Sequence, residues 1–215
     1  MEIKVMKRVL DRNRDMAGRV RERLKSSNVV MINMISSPGA GKTSMLEHIC
    51  HQLGNKIRIA VIEGDVATDR DAQRIKKYDV PILLINTDGG CHLDSNSIDI
   101  ALGEFDLDNL DVMFVENVGN LVCPSHFDLG ETFKLAVVST TEGDDKPVKY
   151  PMLFREARAV VLNKTDLVQY TNFDYSSFLS ALREINNSVP LFELSCRTGE
   201  GLGNFMEWLL EETGN

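Results

Sequence analysis

No apolar run in the chain approaches the roughly 20 residues that a helix needs to span a bilayer, so no membrane partner is expected. Residues 1–15 are charged and lack the apolar core of a signal peptide, which makes a cytoplasmic protein the expectation. Positive charge is not in excess: 24 basic residues face 32 acidic ones, for a net charge of −8. Nucleic acid is therefore not expected as a partner, because phosphate neutralisation needs clustered Lys and Arg. The one basic stretch, residues 4–25, alternates Arg with Asp and Glu and reads as a solvated helix face. The cysteines, Cys50, Cys91, Cys123 and Cys196, stand far apart, with no CxxC pair and no His-rich tract. A disulfide framework is not expected; burial or metal binding is. There is no internal repeat and no low-complexity linker.

What is present is an alternation of strand and helix signals. Residues 5–25 carry Val5, Val9, Met16, Val20 and Leu24 at roughly helical spacing, which predicts a helix over 1–27 packed on a domain over 28–215. Apolar, β-branched runs predict strands over 29–35, 57–63, 82–86, 112–116, 135–140, 159–163 and 189–195. Helices are predicted over 44–53, 69–78, 93–103, 173–186 and 202–211. Near-continuous apolar strands separated by helices imply an α/β, three-layer fold: a mainly parallel sheet covered on both faces. Right-handed crossovers put every strand's C-terminal end on one edge, where such sheets bind ligands.

The first strand runs into Gly39-Ala-Gly-Lys-Thr43, and a helix follows. That context supports a phosphate-binding P-loop. Ser37, Gly39, Ala40, Gly41, Lys42, Thr43 and Ser44 would surround the phosphates, with backbone N–H groups and a helix N-terminus facing the anion. Lys42 should reach the β and γ phosphates, and the Thr43 hydroxyl should ligate Mg²⁺. The consensus asks for Gly at position 36, and this chain has Ser36.

Asn163-Lys-Thr-Asp166 ends a later strand. An Asp166 carboxylate can accept the ring N1–H and exocyclic N2–H₂ of guanine, a donor pair that adenine lacks. Asn163 would bridge base and loop, and the Lys164 stem would lie over a ring face. Ser195, Cys196 and Arg197 follow the last strand, where a backbone N–H can meet the guanine O6. GTP and GDP are the expected ligands. Glu116 follows the strand over 112–116, and Gly119 lies three residues on, placed to present its N–H to the γ-phosphate. Asp65 is a second carboxylate at a strand end, and both acids are candidates for the Mg²⁺ shell or the attacking water. No glutamine stands at a water-positioning site after Gly119, so slow intrinsic hydrolysis is expected, with Lys42, Asp65 and Glu116 as its machinery.

Cys91, His92 and Cys123 emerge on the same edge, and two thiolates with one imidazole suit Zn²⁺ or Ni²⁺. Spacing alone leaves this set balanced against simple burial. His126 is a possible auxiliary ligand, and His48 and His51 are expected to face solvent while Cys50 packs inward.

Taken together, Ser36-Ser-Pro-Gly-Ala-Gly-Lys-Thr43, Gly90-Cys-His-Leu-Asp94, Glu116-Asn-Val-Gly-Asn-Leu-Val-Cys-Pro124, Ser139-Thr-Thr-Glu-Gly-Asp-Asp-Lys146 and Asn163-Lys-Thr-Asp166 resemble the HypB family of nickel-incorporation GTPases, of the SIMIBI class. The resemblance implies a low-turnover GTPase that dimerises with GTP and metal and delivers nickel to [NiFe]-hydrogenase large-subunit precursors. It implies the nickel chaperone HypA as partner, and Ni²⁺ or Zn²⁺ held by Cys91, His92 and Cys123 at the subunit interface. Lys146 matches a loop lysine that would reach the nucleotide of the other subunit. The family often has Ser-Ser-Pro-Gly where Ser36 stands. The cysteine-rich or His-rich nickel motifs that some members carry are not in this sequence. Alternatives are an accessory GTPase for urease or a cobalamin enzyme, a P-loop kinase, which has no use for residues 163–166, or a metal carrier that does not hydrolyse GTP.

Overall fold

The computed structural model describes residues 2–65 and 74–214, with side chains described for residues 10–64 and 74–214. Seven strands form one all-parallel sheet: β1 (Val30–Ser36), β2 (Ile59–Asp65), β3 (Ile82–Asn86), β4 (Val112–Glu116), β5 (Phe133–Ser139), β6 (Ala157–Asn163) and β7 (Leu191–Glu193). Their order is β3-β2-β4-β1-β5-β6-β7. The central strands are buried on both faces, which explains their near-continuous apolar sequences. This is the three-layer P-loop architecture that the alternation of strand and helix signals implied.

Side chains of β1 alternate between two cores. Ile32 and Met34 pack under helix α2 (Lys42–Leu53) and the C-terminal helix Leu202–Glu212. Met31 and Ile35 turn to the opposite face, which holds two clusters. One lies under α1 (Glu2–Ser26) and α3 (Ser95–Ala101), the other under the helices Pro151–Glu156 and Tyr175–Ile185. Asn33, fully buried between Met31 and Ile35 on β1, shares that face.

Helix α1 lies on the sheet by Asn13, Ala17, Val20 and Leu24, all buried at helical spacing. The expected stripe matches at Val20 and Leu24, whereas Met16 is only half-buried. The helix expected over 69–78 is described only from residue 74, where residues 74–76 are helical. The helix expected over 93–103 starts later, at Ser95, because Asp94 caps it by accepting from Ser97 N at 2.7 Å. Cys91 and His92 lie in the loop before it, as the expected boundary also placed them. Strand β7 ends at Glu193, short of 195, because Ser195 N turns to bond Glu200 O at 2.9 Å. Among the described residues no helix is long and apolar enough to cross a membrane.

Several charged side chains are buried in this frame, Glu131 among them. Glu131 is 6% exposed; its Oε2 accepts from Leu129 N at 2.7 Å and its Oε1 from Asn33 Nδ2 at 3.4 Å. Burial pushes its carboxyl above the ordinary glutamate value, against the opposing pull of Lys134. The native state therefore holds this proton more tightly than the unfolded chain. Stability is then fullest below the ordinary glutamate value and declines as pH rises through the raised one. Glu131→Gln should flatten that decline, checked by urea midpoints of both proteins between about pH 4 and 7.

Candidate nucleotide site and metal centre

Because the strands are parallel and in register, their ends assemble one rim. Met34 and Glu63 both pair with Glu116, and Ser139 pairs with Asn163. A cleft of about 680 Å³ opens there, within the roughly 300–1,000 Å³ range of ligand sites. Its lining brings together Gly39, Gly41, Lys42, Thr43, Ser44, Glu116, Gly119, Asn163, Lys164, Asp166, Cys196 and Arg197 from four separate segments.

The loop from Ser36 to Lys42 is held open by two left-handed glycines, Gly39 at φ 75° and Gly41 at φ 108°. A Cβ on Gly41 would sit 2.2 Å from Asn163 Nδ2, so the close approach of the two motifs requires glycine there. Lys42 is 7% exposed and donates from Nζ to Ser36 Oγ at 2.7 Å, while Ser36 Oγ donates to Ser37 O. The serine that departs from the consensus thus serves as an acceptor for the P-loop lysine. Ser37 and Ala40 do not line the cleft among the described residues. Ala40 is buried beneath it, and its carbonyl accepts from Asn163 Nδ2 at 2.8 Å.

Asn163 joins three loops. Besides Ala40, it accepts at Oδ1 from Lys164 N at 2.7 Å and from Cys196 N at 3.1 Å. Lys164, at φ 61°, reaches across to donate to Gly39 O at 2.7 Å. Asp166 accepts from Ser195 Oγ at 2.7 Å and lies 3.7 Å from Arg197 Nη1. Ser195 Oγ in turn accepts from the N–H groups of Arg197 and Thr198, so it braces Asp166 from behind the cleft wall. His48 is not turned to solvent as its spacing suggested: Nε2 lies 2.7 Å from Cys196 O, and a carbonyl only accepts, so Nε2 carries the hydrogen. His51 is exposed and Cys50 buried, as expected. Burial pushes both the Cys50 and the Cys196 thiol up to about 11.

At the other end of the cleft Thr43 Oγ1 donates to Glu116 Oε1 at 2.9 Å. The backbone of Asp65 closes β2 on this rim, paired with Asn86; its side chain lies outside the described ones. Gly119 approaches the P-loop so closely that a Cβ would lie 2.9 Å from Pro38 Cα. Among the lining residues not singled out in the sequence, three carry polar side chains: Glu63, Arg74 and Asn117. Glu63 carried a signal, since a carboxylate in phase with buried Val61 interrupts an apolar strand. Arg74 binds Ser44 Oγ at 3.0 Å and Glu47 Oε2 at 2.5 Å. Burial raises the Glu47 carboxyl, but Lys77 and Arg74 outweigh it and hold it below its usual value.

Beside the cleft, Cys91, His92 and Cys123 offer three ligand atoms within 4.8 Å of one another. Cys123 heads a one-turn helix, Cys123–His126, with Pro124 in its first turn. The Cys91 thiol is raised above its ordinary value, first by its hydrogen bond with Cys123 and then by burial. Burial lowers His92, which favours the neutral imidazole that metals need. The His92 ring packs on Phe127 with centroids 3.8 Å apart. His126 is outside this group and lines a separate pocket with Arg14 and Asp128. Lys146 is not a free loop lysine: its Nζ donates to Glu142 O and lies 3.6 Å from Asp145.

A short loop ties cleft and cluster together. Gly119 lines the cleft, and the neighbouring Asn120 donates to Cys91 O at 3.4 Å. Cys123 follows on the same segment.

A family model described as CobW/HypB/UreG, nucleotide-binding domain, matches residues 18–193. The hydrogenase maturation factor HypB of Azotobacter vinelandii is 42% identical over 212 residues, covering 99% of this chain and 70% of that protein. The crystal structure of HypB from Archaeoglobus fulgidus superposes with a TM-score of 0.89 at 34% identity, over 95% of this chain and 100% of the other. The crystal structure of HypB from Helicobacter pylori in complex with nickel gives a TM-score of 0.87 at 36% identity, over 94% and 95% of the two chains.

Proposed function

The chain belongs to the HypB group of the CobW/HypB/UreG family of nucleotide-binding domains, and we propose that it is a slow GTPase that carries nickel to [NiFe]-hydrogenase precursors. The observation that carries this reading is the segment 116–123, which starts at the phosphate end of the cleft and ends in a thiol of the Cys91-His92-Cys123 group.

In this reading the P-loop amides and Lys42 hold the triphosphate, and Asp166 accepts the two guanine donors. Braced by Ser195 and paired with Arg197 at 3.7 Å, the Asp166 carboxylate is oriented before the base arrives. Thr43 and Glu116 form a hard-oxygen pair 2.9 Å apart, a donor set suited to Mg²⁺ with Asp65 as a third candidate. When bound, Mg²⁺ would neutralise charge on the β and γ phosphates. Lys42, Asp65 and Glu116 remain the proposed hydrolytic machinery.

Nickel, the cargo, would take the two sulfurs and the imidazole; Zn²⁺ fits the same donors. Three ligands leave the coordination sphere open, which suits handover and completion across a homodimer. Lys146 would release Glu142 to reach the nucleotide of the second subunit. Supply by HypA and delivery to the hydrogenase large subunit, in the cytoplasm, complete the role. Gly119 would sense the γ-phosphate and, through the same loop, reposition Cys123, so that GTP and nickel bind with a shared coupling free energy.

A turnover assay tests the reading. GTP should be hydrolysed on the order of 10⁻⁴ to 10⁻² s⁻¹, as for unassisted GTPases, ATP far more slowly, and Ni²⁺ should change the GTP rate. Equal use of ATP, or no release of phosphate, would reject it.

A further inference from the structure

Resting on the coupling just proposed, the structure assigns a specific part to a residue outside both motifs: we propose that Asn117 is the positioning residue through which nucleotide state reaches the Cys91-His92 loop. Asn117 is 1% exposed and follows Glu116 directly, at the mouth of the cleft. Its Oδ1 accepts from two backbone donors on different loops, Leu93 N at 3.2 Å and Val118 N at 3.0 Å. Its Nδ2 donates to Asn33 Oδ1 at 3.1 Å, and its own N–H bonds Met34 O at 3.2 Å. Asn33 is held in turn by Glu131 at 3.4 Å.

The carboxamide is thus anchored to rigid β1 on one side and shared between two loops on the other. Val118 leads to Gly119, the candidate γ-phosphate contact. Leu93 follows His92. A buried acceptor shared by two donors cannot follow one without straining the other, because an unmet buried N–H is unfavourable. Movement of residues 118–119 is therefore passed to Leu93 and on to His92. The second link between these loops, Asn120 to Cys91 O, is longer and exposed.

The far end of the Cys-His loop is pinned separately. Asn13 of α1 accepts at Oδ1 from Ser95 N at 3.0 Å and Ser95 Oγ at 2.9 Å, and donates from Nδ2 to Asp128 O at 2.7 Å. It clamps the segments following both metal-bearing loops but does not line the cleft. The two asparagines therefore separate two effects: Asn13 holds the metal loops in shape, and Asn117 connects them to the nucleotide.

The test is Ni²⁺ affinity by chelator competition, with GDP and with a non-hydrolysable GTP analogue, for the full chain and for Asn117→Ala, Asn117→Ser and Asn13→Ala. Nucleotide affinity is titrated alongside. The unsubstituted protein should show affinities that differ by about 5-fold or more between the two states, within the usual range of allosteric coupling. Asn117→Ala should bring that ratio close to one, read at nucleotide concentrations that saturate each variant. The serine variant, whose hydroxyl is too short to span to Leu93 N, should do the same and serves if alanine does not fold. Asn13→Ala should weaken Ni²⁺ in both states by a common factor and keep the ratio. A ratio that survives in both Asn117 variants overturns the role of Asn117 alone. Loss of the ratio in Asn13→Ala as well reduces both residues to general support and overturns it too. Equal affinities in the unsubstituted protein defeat the coupling itself, whatever Asn117 does.

Discussion

Asp166→Asn should weaken GTP binding by roughly 10³-fold or more, toward the 10⁴-fold penalty of a site that loses its designed hydrogen bond. In the proposed pocket the carboxylate would accept from guanine N1–H and N2–H₂ together; an amide would turn one of those contacts into donor against donor. The variant should nevertheless fold, because Asn retains an oxygen for Ser195 Oγ, now 2.7 Å away. What is lost is the charge, including its attraction to Arg197 at 3.7 Å. The same NH₂ group suits the O2 carbonyl of xanthine, so preference should move to xanthosine nucleotides. Competition titration of GTP against XTP reads both effects, with thermal denaturation as a control for folding. Unchanged GTP preference would take the base-reading role away from Asp166.

Removing a sulfur should have a comparable effect on metal. Cys91→Ala and Cys123→Ala should each lower Ni²⁺ affinity by more than about 100-fold, beyond the roughly 10–100-fold typical of losing an outer partner. Each deletion leaves two ligands where three had been drawn to within 4.8 Å. The double variant should be far less than additive, since the remaining pair no longer forms a site. GTP affinity should stay within a few-fold, because neither thiol lines the cleft. Chelator competition measures the loss, and sulfur-to-nickel charge-transfer absorption should disappear with it. A fall of less than about tenfold would place the metal elsewhere.

The motifs legible in the sequence are those whose partners are their own neighbours in the chain. A P-loop closes on itself, so Gly39, Gly41 and Lys42 were readable, and Asp166 was readable from the short run that precedes it. Residues whose importance comes from distant contacts were not. Glu63, Arg74 and Asn117 reach the cleft through strand pairing and tertiary bonds. His48 looked like a surface residue because its partner, Cys196 O, is 148 positions away. Asn13 interrupted an apolar stripe without any sign that it bridges Ser95 and Asp128. Helix starts moved by a residue or two for a local reason, as when Asp94 capped α3 and moved its start from 93 to Ser95.

By itself the sequence determined the parallel sheet and the phosphate loop on its rim, and it supplied the motif proposed to read guanine. Each follows from backbone geometry or from donor and acceptor chemistry within a few consecutive residues. The tertiary structure alone decided that Cys123 meets Cys91 and His92, that Glu116 meets Thr43, and that Asn117 ties the two centres together. Those contacts depend on which strands pair and in what register, and register is set by the packing of whole faces rather than by any one segment.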